Sequence, residues 1–310
     1  MLYRLARRSI SVGSIFASLL ALASTAEAQP PSAWELAIVD LEGRKQVVGT
    51  LPPSAFAPRV SPDGTRVVFE TRPESPEGEG ARLWIADLYD LGSRRSLPIV
   101  GAPYNWAGMW TKDGERIVYL AAGERPDAIF WQSVDGSGDA EHLIDGRSAE
   151  SWAGGGSQMT FLTLVPEGDY GISMLDVESG DTTVLIDVPG SAQHSSSVSP
   201  DGRWIAYASN ETGRYEVWLA PVARPDARRR ITRQGGAHPL WSPDGETLYF
   251  DRENRMYRVD VRIDHEVSIG EPLELPIAGF QQGEYRRQFD LMPDGSAFLL
   301  IYPLQQGAPR

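Results

Sequence analysis

Short apolar runs separated by polar turns recur along the whole chain, and His238-Pro-Leu-Trp-Ser-Pro-Asp-Gly-Glu-Thr-Leu-Tyr-Phe250 shows the unit in full. Ser242-Pro-Asp-Gly245 suits a four-residue turn. Pro presets φ, Ser and Asp can bond neighbouring amides, and Gly tolerates a left-handed exit. A short apolar segment ending in Trp241 precedes the turn. Thr247–Phe250 follows it with both alternating faces apolar, which predicts a strand covered on both sides.

The same turn recurs at Ser61-Pro-Asp-Gly64, Thr111-Lys-Asp-Gly114, Ser199-Pro-Asp-Gly202 and Met292-Pro-Asp-Gly295, so that successive starts lie 50, 88, 43 and 50 residues apart. The long interval is a double period, and Ser151-Trp-Ala-Gly-Gly-Gly-Ser-Gln-Met-Thr-Phe-Leu162 supplies the hidden copy, with a Gly-rich turn in place of Asp-Gly. Six units of forty-odd residues, each with room for four strands, predict propeller blades.

Each unit parses into strands A to D. After Ser199, B is Trp204–Ala208, C is Glu216–Ala220 and D is Arg229–Thr232. The first unit gives Arg66–Phe69, Leu83–Asp87 and Leu97–Val100, and the second Ile117–Leu120, Ile129–Trp131 and His142–Ile144. Trp34–Leu41 and Lys45–Val48 read as C and D with no A or B before them, while Arg287–Met292 and Ala297–Tyr302 read as A and B with no C or D after them. The expected architecture is therefore an all-β, six-bladed β-propeller of four-stranded antiparallel blades. It is closed by N-terminal outer strands pairing with C-terminal inner strands, which leaves no open edge between the first and last blades.

Residues 1–28 stand apart from this pattern. Arg4, Arg7 and Arg8 precede an apolar run from about Val12 to Ala23 and then Ala26-Glu-Ala28, the layout of a signal peptide cleaved after Ala28. The apolar run is too short to span a bilayer. Arg7-Arg8 would also suit twin-arginine export, but Ser-Ile-Ser after it favours an ordinary Sec-type basic region. The expectation is a periplasmic or extracellular protein whose residues 29–310 form a single propeller domain, with no membrane insertion after cleavage. The chain has no Cys, so it is stable without disulfides and has no lipid attachment through an N-terminal Cys.

Loss of Arg4, Arg7, Arg8 and Glu27 takes the formal charge from −13 to −15. Such a surface repels nucleic acid and anionic membranes at long range, so no nucleic-acid partner is expected.

The motif pattern resembles the WD40-like repeat of the TolB type, through Trp241 to Gly245, Ser199 to Gly202 with Ile205-Ala-Tyr207, and Trp84-Ile-Ala-Asp-Leu88. The resemblance covers residues 34–302. It implies the blade architecture and not a role in the Tol–Pal envelope system, because no segment here would supply the α/β domain that precedes TolB's propeller.

In such a ring the strand-A starts and the D-to-A loops line one mouth of the channel. The candidates there are Arg59, Asn105, Trp106, Glu150, Trp152, His194, Ser195, His238, Arg286, Arg287 and Gln288. His194 and His238 precede consecutive turns by five and four residues and are expected to approach each other. The plain reading is polar residues solvated in a wide channel, and the alternative is a ligand site at His194, His238, Arg59, Trp106, Trp152 and Arg287. Oligogalacturonate lyases resemble this repeat and hold a divalent ion with His and Gln side chains, a resemblance that would nominate His194, His238 and Gln288 for a metal.

Other motifs carry less. Gly155-Gly-Ser-Gln-Met159 lacks the last Gly of a nucleophile elbow, so Ser157 reads as a turn residue. Asp135–Glu141 resembles a calcium loop, but Ala140 and Gly146 stand where Gly and Glu are required, which leaves a C-to-D hairpin. Arg228-Arg-Arg230 with Arg233 reads as charge protecting an outer edge. Trp84, Trp131, Trp218 and Trp241 read as packing between blades, whereas Trp106 and Trp152 are freer to face the channel.

Together these observations predict an exported, monomeric, non-enzymatic scaffold without a cofactor, binding a protein, peptide or glycan partner at one rim or in the channel. The alternatives are a metal-dependent carbohydrate-active enzyme with its site in the channel and a propeller subunit of an envelope complex.

Overall fold

A computed structural model describes residues 33–72, 80–97, 104–123, 127–165, 169–263, 267–283 and 285–304; the expected signal peptide lies outside them. From the channel outward, blade 1 is Ala55–Val60, Arg66–Thr71, Arg82–Asp87 and Asp90–Ser96. Blade 2 is Tyr104–Trp110, Arg116–Ala122, Ala128–Ser133 and Glu141–Asp145. Blade 3 is Arg147–Ala153, Gln158–Leu164, Tyr170–Asp176 and Thr182–Ile186. Blade 4 is Gln193–Val198, Trp204–Ser209, Glu216–Pro221 and Arg229–Arg230. Blade 5 is Ala237–Trp241, Thr247–Arg252 and Arg255–Ile263, with its outer edge in two pieces, Val267–Ile269 and Leu273–Ala278, both paired with the long third strand. Blade 6 joins the two ends: Phe289–Leu291 and Ala297–Pro303 supply the inner strands, Trp34–Asp40 and Lys45–Leu51 the outer ones. Seven residue pairs from Trp34↔Pro303 to Asp40↔Ala297 make the closing seam.

One strand differs from the sequence reading. The fourth strand of blade 1 is Asp90–Ser96, not Leu97–Val100, of which 98–100 lie outside the described residues. Leu88 and Tyr89 turn the chain tightly between Asp87 and Asp90, and the polar Gly-Ser-Arg-Arg-Ser that follows pairs along an outer edge with little apolar signal to betray it.

The core lies between blades rather than within them. Six buried apolar clusters each span one junction of neighbouring blades. Second strands feed two clusters at once: Leu299 and Ile301 pack toward blade 1, Phe298 and Leu300 toward blade 5. This is why those strands are apolar on both faces.

The repeated turns also join blades. In each Ser-Pro-Asp-Gly copy the Gly amide donates to the Ser carbonyl, at 2.9 Å for Gly64 and 2.8 Å for Gly202, and the Ser hydroxyl donates to the Asp carboxylate at 2.5 Å. The same carboxylate accepts the amide two residues on, and at Asp63 the donating hydroxyl of Ser61 comes first among the groups that hold the carboxyl down at about 2. Gly295, at φ 74°, lies against Pro243 of the preceding turn, so that a Cβ there would come within 3.0 Å of its ring. The turn thus needs Gly for conformation and for the neighbouring blade.

Tryptophans complete the junctions. The indole N–H of Trp110 donates to the carbonyl of Arg59 at 3.0 Å, that of Trp152 to Trp110 at 2.7 Å, and that of Trp241 to Ser197 at 3.1 Å, each across one junction. Leu300→Ala is expected to lower unfolding free energy by about 3 kcal/mol through the cavity it leaves. Trp241→Phe, which keeps most of the packing and loses the donor, should cost about 1 kcal/mol. Urea titration measures both, and an unshifted midpoint for Trp241→Phe would show that its hydrogen bond contributes nothing.

Candidate functional site

The inner strands do not run straight to the channel. Irregular pairing interrupts the A–B register in blades 1 to 5, and Ala57, Ala107, Ser195 and His238, each three residues before the end of its strand A, take φ between 50° and 57°. A non-Gly residue there is strained by roughly 1 kcal/mol, and the bulge removes its amide from the ladder. At three junctions the preceding blade supplies the acceptor. Ala57 donates to Gln288 Oε1 at 2.8 Å, Ala107 to Glu70 Oε1 at 2.6 Å and Ser195 to Glu150 Oε1 at 2.6 Å, with Ser196 donating to the other Glu150 oxygen through both N and Oγ.

Glu70 and Gln288 are buried and Glu150 is partly buried; His194 and His238, at 0 and 1% exposure, are packed rather than solvated. The segment around Tyr285–Gln288 crosses the bore. Arg286 pairs with Glu70 Oε2 at 2.8 Å, Ser195 Oγ donates to the Tyr285 carbonyl at 3.3 Å, and the Tyr285 ring meets His194 edge-on. Tyr285 and Arg286 line two cavities.

The candidate residues therefore do not share one mouth. Arg59, Glu150, Trp152 and Arg287 line a cavity of about 480 Å³ that opens among the Ser-Pro-Asp-Gly turns. Trp106 and Gln288 line one of about 610 Å³ at the strand-A starts. His238 lines a third, of about 440 Å³, with Tyr215, Asp251 and Arg252. His194 lines none of them. Trp152, expected to be freer, is tied to blade 2, and Arg287 is held on Asp290 at 3.0 Å. Arg59 donates to the carbonyls of Pro58 and Arg287, and burial, with Arg287 beside it, brings its guanidinium down to about 9.

His194 and His238 do approach, with ring centroids 5.9 Å apart. His238 Nδ1 bonds Asp251 Oδ1 at 2.8 Å; a carboxylate only accepts, so Nδ1 carries the proton. His194 Nδ1 lies 2.8 Å from Ser195 Oγ, whose proton goes to the Tyr285 carbonyl, which leaves the His194 lone pair at Nε2. Neither Nε2 has a partner among the described residues. Burial, reinforced by His238, drives His194 down to about 3. With Ser195 Oγ donating to the Tyr285 carbonyl, His194 Nδ1 donates to Ser195 rather than accepting its proton. Burial pushes Glu150 up to about 7 against the pull of its three donors.

Two acidic residues of this site escaped the sequence reading. Glu70 and Asp251 each close an apolar second strand and face the residue before the strand-A bulge, pairing with Phe56 and Ala237. Their signal was a charge at one register position in two repeats. Arg72 and Arg147 had none, because what distinguishes them is the ring each one covers.

No protein-family model and no curated protein matches the sequence. Among solved structures, a TolB-like protein from Agrobacterium tumefaciens superposes with a TM-score of 0.67 at 21% identity, covering 88% of this chain and 99% of that one. The chain has a TolB-type propeller fold. TolB from Acinetobacter baumannii gives 0.57 at 19%, covering 78% of this chain and 64% of that one. An oligogalacturonate lyase in complex with manganese gives 0.51 at 12%, over 87% and 96%. A TolB-type fold does not choose among functions.

Of the His-and-Gln set implied by the lyase resemblance, Gln288 already has partners within the protein. Both ends of the Gln288 carboxamide are engaged, Oε1 by the Ala57 amide and Nε2 by the Arg286 carbonyl at 3.2 Å. Among the described residues no three His, Cys, Asp or Glu side chains are grouped to hold an ion.

The His194 environment has a pH signature. The unfolded imidazole protonates near its ordinary 6.5 and the folded one near 3, so between these values the unfolded state binds more protons. Stability therefore falls as pH drops from about 6.5 toward 3, by up to about 1.4 kcal/mol per pH unit. In urea titrations from pH 7 to 4, His194→Phe should gain on the wild type as pH falls; parallel stability curves would contradict this.

Proposed function

We propose that the protein is an exported, monomeric propeller scaffold without enzymatic activity, which binds a protein, peptide or glycan partner at a channel mouth. The observation that carries this reading is the use made of the polar groups in the bore. Glu70, Glu150, Gln288 and Trp152 are each bonded across a blade junction, and Asp290 accepts the Val60 amide at 2.9 Å across the same junction as Gln288. What stays open to a partner is the rim, where Tyr104, 37% exposed, stacks on Trp106. Export rests on the signal-peptide layout of residues 1–28. Among the described residues no helix is long and apolar enough to cross a membrane.

Site-directed photocrosslinking in the native cell envelope tests the proposal. A benzophenone amino acid in place of Tyr104 should give one discrete adduct. The same group in place of Val184, an exposed position on the outer strand of blade 3, should give none. Adducts from both positions, or from neither, would count against a partner at this mouth.

A further inference from the structure

The cavity at the strand-A starts has a chemistry that the protein as a whole does not. The chain carries a formal charge of −13, yet the wall of this cavity bears three guanidiniums, Arg72, Arg147 and Arg286, and among the described residues no carboxylate. Each guanidinium lies over an aromatic ring of the same wall: Arg72 over Phe56 at 4.4 Å, Arg286 over Trp106 at 5.1 Å and Arg147 over Tyr170 at 5.6 Å. Stacking occupies the faces of a guanidinium and leaves its N–H edge in the plane where a carboxylate binds bidentately.

The three differ in how far they are already satisfied. Arg286 is paired with Glu70, and Arg147 with Asp127 at 3.1 Å, while neither carboxylate lines the cavity. Arg72 is exposed and has no ion pair among the described residues. Trp106 Nε1 likewise has no acceptor among them. An exposed guanidinium without an ion pair among the described residues, set among aromatic faces around about 610 Å³, matches a ligand that brings oxygens and a flat apolar body together.

We propose that this mouth is a binding site for an organic carboxylate carrying an aromatic or apolar group, with Arg72 as its principal charge partner and Phe56, Trp106 and Tyr170 as its apolar walls. The ligand chemistry is the same whether the carboxylate ends a peptide or belongs to a small acid. The inference rests on the scaffold reading only in taking this mouth as the functional one.

Isothermal titration of the mature chain tests it with N-acetylphenylalanine against N-acetylphenylalaninamide, which differ only in the charge and oxygens of the terminal group. The acid should bind, and the amide at least about tenfold more weakly. Arg72→Gln should weaken the acid by a similar factor with no change in urea midpoint, since among the described residues Arg72 has no bond or ion pair across a blade junction. Of two further probes, tighter binding of acetyl-Ala-Ala-Phe identifies a peptide end as the source, and tighter binding of 3-phenylpropanoate a free acid; either result supports the site. Equal affinity for acid and amide, no binding of either, an unaffected Arg72→Gln variant, or inorganic phosphate competing as well as the acid would each overturn it. A crosslinked partner at Tyr104 without carboxylate binding would sink this inference and leave the scaffold, and carboxylate binding without an adduct would do the reverse.

Discussion

The structure depends on the satisfaction of backbone amides that the inner strands cannot pair. A bulge in strand A turns an amide out of its ladder, and a buried amide without an acceptor is destabilising by the strength of a lost hydrogen bond. In this ring the acceptor comes from the blade before: Gln288 for Ala57, Glu70 for Ala107, Glu150 for Ser195. No blade can complete its own inner strand at these positions. The strained φ values at Ala57, Ala107 and Ser195 persist because the next blade's fold and the previous blade's side chain determine them together.

That dependence explains why the bore is polar and yet crossed by bonded side chains. A propeller bore needs acceptors wherever bulges face inward, and carboxylates supply two lone-pair-bearing oxygens each. Glu70 then requires a cation, which Arg286 supplies from the segment that crosses the bore, and the Ser195 hydroxyl holds that same segment at the Tyr285 carbonyl. Tyr285 and Arg286 of this segment line both cavities. His238 is the variant case, where the carboxylate at the Glu70 position, Asp251, turns to its own blade's imidazole.

The repeat count, the hidden third copy and the closing seam were all legible in the sequence, because the Asp-Gly turn fixes register and the two incomplete ends require each other. The apolar second strands read correctly as covered on both faces, since each lies between two inter-blade clusters. Legibility failed where a residue's role depends on the neighbouring blade. Trp152 looked free to face the channel because nothing local shows that the Trp110 carbonyl stands opposite its indole N–H. Asp90–Ser96 was missed because an outer edge needs only pairing, not an apolar face. His194 and His238 were rightly placed near each other by counting back from the turns. Their burial could not be counted, as it comes from Tyr215, Tyr285 and the crossing segment.

The same logic separates the two ends of the bore. At the turn end, tryptophan N–H groups, turn glycines and Arg59 are bonded or packed against the adjoining blade, so the residues that give the wall its chemistry are those that hold it together. At the strand-start end Gln288, Arg286 and Arg147 still bond to other blades, and Arg72 is the charged wall residue that does not do so among the described residues. Arg147 stacks on Tyr170 of its own blade but also pairs with Asp127 of the blade before, whereas Arg72 stacks on Phe56 of its own blade and has no ion pair among the described residues. A side chain that no junction needs can change without opening the ring, and in a propeller whose interior is fixed by inter-blade bonding, recognition can be set only by such residues.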